Sequence, residues 1–389
     1  MQHAGVFDTI AIERVVFGRP CAEALAEEAK RIEATRLFLI VSKTLDAETD
    51  HIDLIRKALG VRYAGSCSGI PSHTPRDAII EAAARARAAN ADLIVTYGGG
   101  SVTDAGKMVQ LCLKHGITAA DQLDGYRETI EADGVRVSPA YDGPKLRQIA
   151  VPTTLSAGEF GAGAGCTDTK RGMKELYRHR LLVPRVVILD PQATVPTPEW
   201  LWLSTGIRAL DHAVETICSQ FANPQSDGPA LQALKLLSRG LPLSNADPQD
   251  LGARRDCQIA AWASMDHNQS RVPMGASHGI GHVLGGACDV PHGHTSCVML
   301  PNVLRFNRSV NGDRQALVSE AMGQPGADAA DVVQNFVAGL GLPTRLRDVG
   351  VDASRFQEVA EKSMHDRYIH TNPRPLGVDD VMAILEQAA

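Results

Sequence analysis

Ala91 to Tyr97 (ADLIVTY) is a short apolar run that passes directly into Gly98-Gly99-Gly100 and then, from Val102, into a helix-like stretch. Few folds accept that succession. A continuous apolar run bounded by glycine reads as a strand buried on both faces, and such strands belong to parallel sheets covered by helices on either side. Leu37 to Ser42 (LFLIVS), Leu146 to Pro152 and Arg185 to Asp190 (RVVILD) are further runs of this kind, and Arg76 to Asn90 is an Ala-rich helix between two of them. Strands separated by helices predict βαβ units. Gln122 to Pro144 is polar and rich in Gly and Asp, and is expected to be an excursion or hairpin. After about Pro198 the strand signal fades, while Trp200 to Ser219, Asp227 to Ser238, Gly252 to His267 and Asp328 to Leu340 carry helical patterning. The expected organisation is an α/β dinucleotide-binding type of domain over 1–193 and an all-helical domain over 194–389. Trp200 and Trp202, at the start of the second, are expected in its core.

Charge narrows the function. Of 389 residues, 39 are Lys or Arg and 45 are Asp or Glu, a net charge of -6, which leaves no polybasic footprint for nucleic acid. No apolar run approaches the roughly 18 residues that a membrane span needs, and Met1 to Arg14 lacks the basic-then-apolar layout of a secretion signal. The expectation is a soluble cytoplasmic protein with neither a nucleic-acid nor a membrane partner. The eight cysteines are scattered without a CxxC pair, so they are expected to be reduced and mostly buried.

The glycine turn is itself a candidate site. Glycine permits close backbone approach, and the following helix N-terminus offers free N–H groups and the positive end of its dipole. Gly98, Gly99, Gly100 and Ser101 therefore suit an anion, most simply a pyrophosphate. The turn is not a phosphate loop of the GxxxxGK[ST] type: the first glycine would fall on Ser101, and Met108 follows Lys107. It is not GxGxxG either, because the third glycine would be Thr103. Val151-Pro152-Thr153-Thr154 ends another strand and opens the Gly/Ala-rich loop Ser156 to Gly165, at a carboxyl strand end where α/β proteins bind ligands. Ser42 follows the first strand, where an acid would repel a 2′-phosphate; a neutral serine tolerates NADPH as well as NADH.

Histidines mark the second half. His278 and His282 are four apart, on one face of a helix. His292 follows in Val290-Pro291-His292-Gly293-His294, and His212 lies upstream in Asp211-His212-Ala213-Val214-Glu215. Such a set suits a divalent metal and equally suits acid–base work near neutral pH; any one of them alone reads as an ordinary core or surface histidine.

Taken in order, these motifs resemble those of the iron-type (group III) alcohol dehydrogenases, the family that includes maleylacetate reductases. Gly98-Gly99-Gly100-Ser101-x-x-Asp104 is similar to the family's GGGSxxD turn, Pro152-Thr153-Thr154 to its PTT loop, and Asp211-His212-Ala213-Val214-Glu215 lies at its HA[IV]E helix. His278-x-x-x-His282-x-Leu284-Gly285-Gly286, followed by Pro291-His292-Gly293, matches its longest signature. The resemblance implies an NAD(P)-dependent oxidoreductase that moves a hydride between NAD(H) or NADP(H) and a small carbonyl or alcohol, in a homodimer. It implies that Gly98 to Ser101 hold the pyrophosphate, that Asp104 lies near the nicotinamide end, and that Thr153 and Thr154 line the adenine and ribose side. It further implies that His212, His278 and His292 ligate a divalent metal (Fe or Zn), and that His282 relays a proton.

One position departs from the pattern. The family's fourth ligand is an aspartate four residues before the helix histidine, and Arg208 stands there. Either metal binding is lost, and Arg208 binds a substrate carboxylate and polarises a carbonyl while His282 donates the proton, or Asp211 reaches the metal through an irregular turn. An acidic keto acid such as maleylacetate suits the first case. Two other classes stay open: a lyase resembling dehydroquinate synthase, which consumes no net NAD(P)H, and a non-catalytic dinucleotide-binding descendant. Arg367, Tyr368 and His370 are further candidates for the site.

Overall fold

A computed structural model describes residues 6–130 and 136–389. It divides into two compact units, Ile10–Thr197 and Pro198–Ala389, the second joined by residues 6–9. The division falls at 197/198 rather than 193/194, because the segment after the last strand stays on the sheet. Asp190 accepts the Cys21 N–H at 2.7 Å and caps the short helix behind it, and Thr197 Oγ1 donates to the Thr153 carbonyl at 2.8 Å. The Asp8 N–H donates to the Gln269 carbonyl and its carboxylate pairs with Arg271, which ties the first described residues to the helical unit.

The first unit holds β1 (Arg14–Phe17), α1 (Cys21–Arg31), β2 (Leu37–Val41), α2 (Lys43–Glu48), α3 (His51–Leu59), β3 (Tyr63–Ser68), α4 (Arg76–Ala88), β4 (Leu93–Gly98) and α5 (Gly100–His115). Then come β5 (Thr129–Ile130), β6 (Arg136–Val137), β7 (Arg147–Pro152), β8 (Gly163–Asp168), β9 (Met173–Arg178), β10 (Val186–Leu189) and α6 (Pro191–Thr194). Six strands form a parallel sheet in the order β1-β10-β7-β4-β2-β3. Alternate side chains of its central strands enter two cores. Leu37, Leu39, Val41, Leu93, Val95 and Tyr97 pack with Leu25, Ile52 and Ile55 on one face, and Phe38, Ile40 and Ile94 pack with Ile79, Met108 and Val109 on the other. Burial on both faces is why these strands read as unbroken apolar runs.

Register sets the functional edge. Val41 pairs with Tyr97, Tyr97 with Val151, and Gly98 with Pro152, so β2, β4 and β7 end level. The chain turns back across β2 on passing from β3 to β4, and in open α/β sheets the crevice at that reversal binds ligands. The polar excursion pairs as expected, Thr129 with Val137 in antiparallel register, while its tip, 131–135, lies outside the described residues. A second hairpin, β8 with β9, was not legible in the sequence.

The second unit is built from α7 (Glu199–Cys218), α8 (Pro224–Ala246), α9 (Leu251–Ser264), α10 (Ala276–Cys288), α11 (His292–Ala321), α12 (Ala329–Gly339), α13 (Phe356–Ser363) and α14 (Val378–Gln387). Every residue of α7 from Trp202 to Cys218 is buried, which makes it the central helix. Trp202 lies in the core with its indole N–H on Ser244 Oγ, but Trp200 is 49% exposed; the two are two residues apart and so face different sides of α7. No helix is long and apolar enough among the described residues to cross a membrane. All eight cysteines are unpaired, and all but Cys288 are buried.

α5 lies close on the sheet because Gly106 has no side chain. A Cβ there would sit 2.4 Å from Thr96 Cγ2 and 2.8 Å from the Gln148 amide. The helix–strand packing glycine is therefore Gly106, not a residue at 103. Gly106→Ala is expected to lower stability by about 1–3 kcal/mol through overpacking, read as a shift of the urea unfolding midpoint.

Candidate functional site

In the α/β unit the predicted anion turn comes together as one surface. The first intrahelical bonds of α5 run from Val102 and Thr103 to the Gly99 carbonyl, so the N–H groups of Gly100 and Ser101 precede them. The backbone is tightly enclosed. A Cβ on Gly98 would lie 2.9 Å from Val102 Cγ2 and 3.2 Å from Ser42 Cβ, and one on Gly99 would lie 3.1 Å from Thr154 Cγ2. The Thr153 N–H donates to the Gly98 carbonyl at 3.1 Å, and the Ser42 N–H to the Tyr97 carbonyl at 2.9 Å. Ser42, Gly98 to Ser101, Thr153 and Thr154 are thus neighbours. The Asp104 carboxylate accepts the Gly165 N–H at 3.0 Å and faces Lys107 at 3.5 Å.

In the helical unit, α7 carries Arg208, Asp211, His212 and Glu215 on one stripe, spaced i, i+3, i+4 and i+7. Asp211 needs no irregular turn to share that stripe. It accepts the Ser277 hydroxyl at 2.9 Å and the Ser296 hydroxyl at 2.6 Å, and lies 3.8 Å from Arg208. Arg208 Nη1 donates to Ser296 Oγ at 3.1 Å. Glu215 accepts the N–H groups of Gly275 and Ser277, each at 2.8 Å, at the start of α10, and pairs with His278 Nδ1 at 2.8 Å. That pairing orients the ring, and His278 Nε2 is buried without a hydrogen-bond partner.

The other histidines gather around this core. The His212 ring lies 4.8 Å from that of His278 and 5.6 Å from that of His267. His282 Nδ1 pairs with Asp366 Oδ2 at 3.0 Å, and the Tyr368 ring lies 5.6 Å away under the Arg367 guanidinium. His292, at the start of α11, lies 6.3 Å from His282 and fits against Gly285, where a Cβ would meet its Cε1 at 3.1 Å. His370 takes no part; it is exposed, with Nε2 on the Met364 carbonyl. His267, Glu215, Ser277, Ser296 and Asp366 were missed by sequence reasoning. Only Glu215 carried a signal, as the last residue of the motif around His212.

Burial governs ionisation here. It holds His212 and His278 well below the usual histidine value, and the Arg208 charge pushes both further down. Burial raises Asp211 to about 6 against the pull of Arg208. Burial and then the Asp211 carboxylate raise Glu215 to about 8.

The family model described as iron-containing alcohol dehydrogenase matches residues 13–191, and that described as the C-terminal part of the Fe-containing alcohol dehydrogenase family matches 202–389. The chain belongs to the iron-containing alcohol dehydrogenase family. It is an oxidoreductase by that membership, as its named relatives are dehydrogenases and reductases. It is 32% identical to dehydrogenase FUM7 of Gibberella moniliformis, over 96% of each chain. It is 30% identical to 1,3-propanediol dehydrogenase of Klebsiella pneumoniae, over 98% of this chain and 99% of that one. The crystal structure of maleylacetate reductase from Rhizobium sp. superposes with a TM-score of 0.83 at 28% identity, over 100% of this chain and 98% of that one.

Membership raises the question of the metal, and the donor set here has a guanidinium beside it. Among the described residues, the donor groups within 4.8 Å of one another are Asp211–Glu215–His278 and Asp124–Asp168–Glu175; neither includes His212 or His292. In the first, Asp211 Oδ2 takes two hydroxyls beside Arg208 and Glu215 takes two backbone N–H groups and His278, while Asp211 Oδ1, His212 Nδ1 and His278 Nε2 are buried without a partner. The buried guanidinium next to them repels a cation. Of the expected trio His212, His278 and His292, the first two have rings 4.8 Å apart, and the three do not form a group within 4.8 Å of one another.

His267 makes a pH test of this burial. Burial lowers it to about 4, although Nδ1 bonds to the Val272 carbonyl. Unfolded, it titrates near 6.5. Between those values the unfolded chain holds a proton that the native one refuses, so stability is full above about pH 6.5 and falls on acidification. His267→Asn is expected to flatten the fall of the melting temperature between pH 6.5 and 4.5; the raised Asp211 and Glu215 are common to both proteins and cancel.

Proposed function

We propose that the chain is an NAD(P)H-dependent reductase of a short oxo acid, such as maleylacetate, and that it works without a metal. The observation that carries this reading is Arg208, a buried guanidinium on the central helix at the place where the family's pattern has a ligating aspartate. A fixed, planar cation suits a carboxylate and the developing alkoxide beside it.

The glycine turn supports the dinucleotide: Gly98 to Ser101 would seat the pyrophosphate, with Ser42, Thr153 and Thr154 around it. Bound NAD(P)H supplies the hydride. Ser42 carries no charge to repel a 2′-phosphate, so both NADH and NADPH are expected to serve. Arg208, held by Ser296 and Asp211, would orient the substrate carboxylate and draw electron density toward the carbonyl oxygen. His282 would give the proton that converts alkoxide to alcohol. It suits that task better than His278, since its side chain is 37% exposed against 3% and can be reloaded from water; burial lowers its pKa, and the bond to Asp366 offsets part of that.

Two measurements test this. Metal analysis of the purified protein is expected to be substoichiometric, and NADH oxidation with maleylacetate is expected to survive chelation unchanged; activity that appears only on adding Fe²⁺ or Zn²⁺ overturns the metal-free reading. Arg208→Ala is expected to lower kcat/KM for the oxo acid roughly 100-fold or more, with Arg208→Lys intermediate because the fork geometry is lost.

A further inference from the structure

Beyond the turn, α5 carries a buried charge that sheet packing does not call for. Lys107 is 0% exposed, on a helix whose Val102, Ala105, Met108 and Val109 lie in an apolar core. Its Nζ donates to the carbonyls of Gly158 and Gly163, both at 2.7 Å, and lies 3.5 Å from Asp104 Oδ1. An ammonium has three donors, and all three have acceptors here. Asp104 Oδ2 in turn accepts the Gly165 N–H. Two side chains of one helix thus hold Gly158, Gly163 and Gly165, three backbone groups of one segment. Burying an ammonium is costly, and burial pushes Lys107 down while Asp104 and Glu159 draw it up. Glu159 is itself buried, and pushed up to about 7.

The other end of that segment touches the glycine turn. Thr153 donates to Gly98, Thr154 packs on Gly99, and Ser156 Oγ lies 3.1 Å from where a Gly100 Cβ would be. Within the segment the backbone bonds are short-range, Phe160 to Ala157 and Gly161 to Gly158, and Ala157 sits at φ +59°. At its far end β8 pairs with β9 and packs on α5 through Ala164 and Cys166. Lys107 and Asp104 add the polar ties from α5 to the backbone of Gly158, Gly163 and Gly165.

We propose that Lys107, with Asp104, is a positioning residue for the dinucleotide: it clamps residues 158–165 to α5, so that Thr154 and Ser156 stay against the glycine turn and keep the pyrophosphate seat in shape. This rests on the reading of that turn as the NAD(P)H site. Lys107 acts through the segment, and its effect falls on cofactor affinity rather than on the chemical step.

The test is fluorescence titration of NADH and NADPH into wild type, Lys107→Met and Lys107→Arg, with hydrogen exchange of residues 156–165 and steady-state kinetics. Lys107→Met keeps the buried stem and removes the three donors. Its Kd is expected to rise about tenfold or more, with faster exchange in 156–165, a raised KM for the dinucleotide and little change in kcat at saturation. Lys107→Arg is expected to recover part of the affinity. A folded Lys107→Met with wild-type Kd overturns the clamp, as does one whose kcat falls while KM holds. Should Lys107→Met not fold, wild type decides: NADH is expected to slow exchange across 156–165, and no change there overturns the proposal. Failure of the wild type to bind either dinucleotide overturns the reading of the turn itself, and is distinguishable from failure of the clamp.

Discussion

Arg208 sits in a helix whose residues from Trp202 to Cys218 are all buried, so its charge cannot be hydrated and must be met by protein. Asp211, one turn along, answers it directly at 3.8 Å and through Ser296. The remaining geometry follows from that compensation. Asp211 Oδ2 meets Arg208 and two serines, Glu215 meets the start of α10 and His278, and His212 and His278 are held neutral by burial and by the guanidinium. On the proposed reading, a stripe with the spacing of a cation site serves an anion instead. One residue carries that reading: Arg208, whose guanidinium stands where the resemblance expects a ligand and lies 3.8 Å from Asp211.

The α/β unit solves a different problem. It brings the leading N–H groups of α5 to the end of a strand that is itself buried. Level strand ends bring Ser42, the glycine turn and the Thr153–Thr154 loop to one place. Gly106 then lets α5 lie close on the sheet, and Lys107, on the next residue, reaches back under the loop. A buried ammonium is tolerable here because its three acceptors are backbone carbonyls and a carboxylate already in place.

Much of this was legible as sequence. The central strands announced themselves because burial on both faces leaves no polar alternation, and the glycine turn because it interrupts such a run. The histidine signature was readable because its spacing is local. β1, β3 and the β8–β9 hairpin were not. β3 (YAGSCS) is a half-buried edge strand, and β8 (GAGCTD) buries alternate residues only because it packs on α5. The division of the chain also moved by four residues, from 193 to 197, because Asp190 and Thr197 hold that segment to the sheet through contacts far along the chain.

Local spacing was enough to place His278 with His282 on one face of a helix, since 3.6 residues per turn is a property of the backbone alone, whereas the stripe that Asp211 shares with Arg208, His212 and Glu215 came from the structure. Spacing could not say what those side chains meet. Ser277 and Ser296 reach Asp211 from 66 and 85 residues away, and Asp366 reaches His282 from 84. The sequence therefore determined the family, the two kinds of unit and the residues available for chemistry. Whether Asp211 would serve a metal or neutralise Arg208 was decided by tertiary packing, because the energy of a buried charge depends on every group around it, and those groups come from helices that only folding brings together.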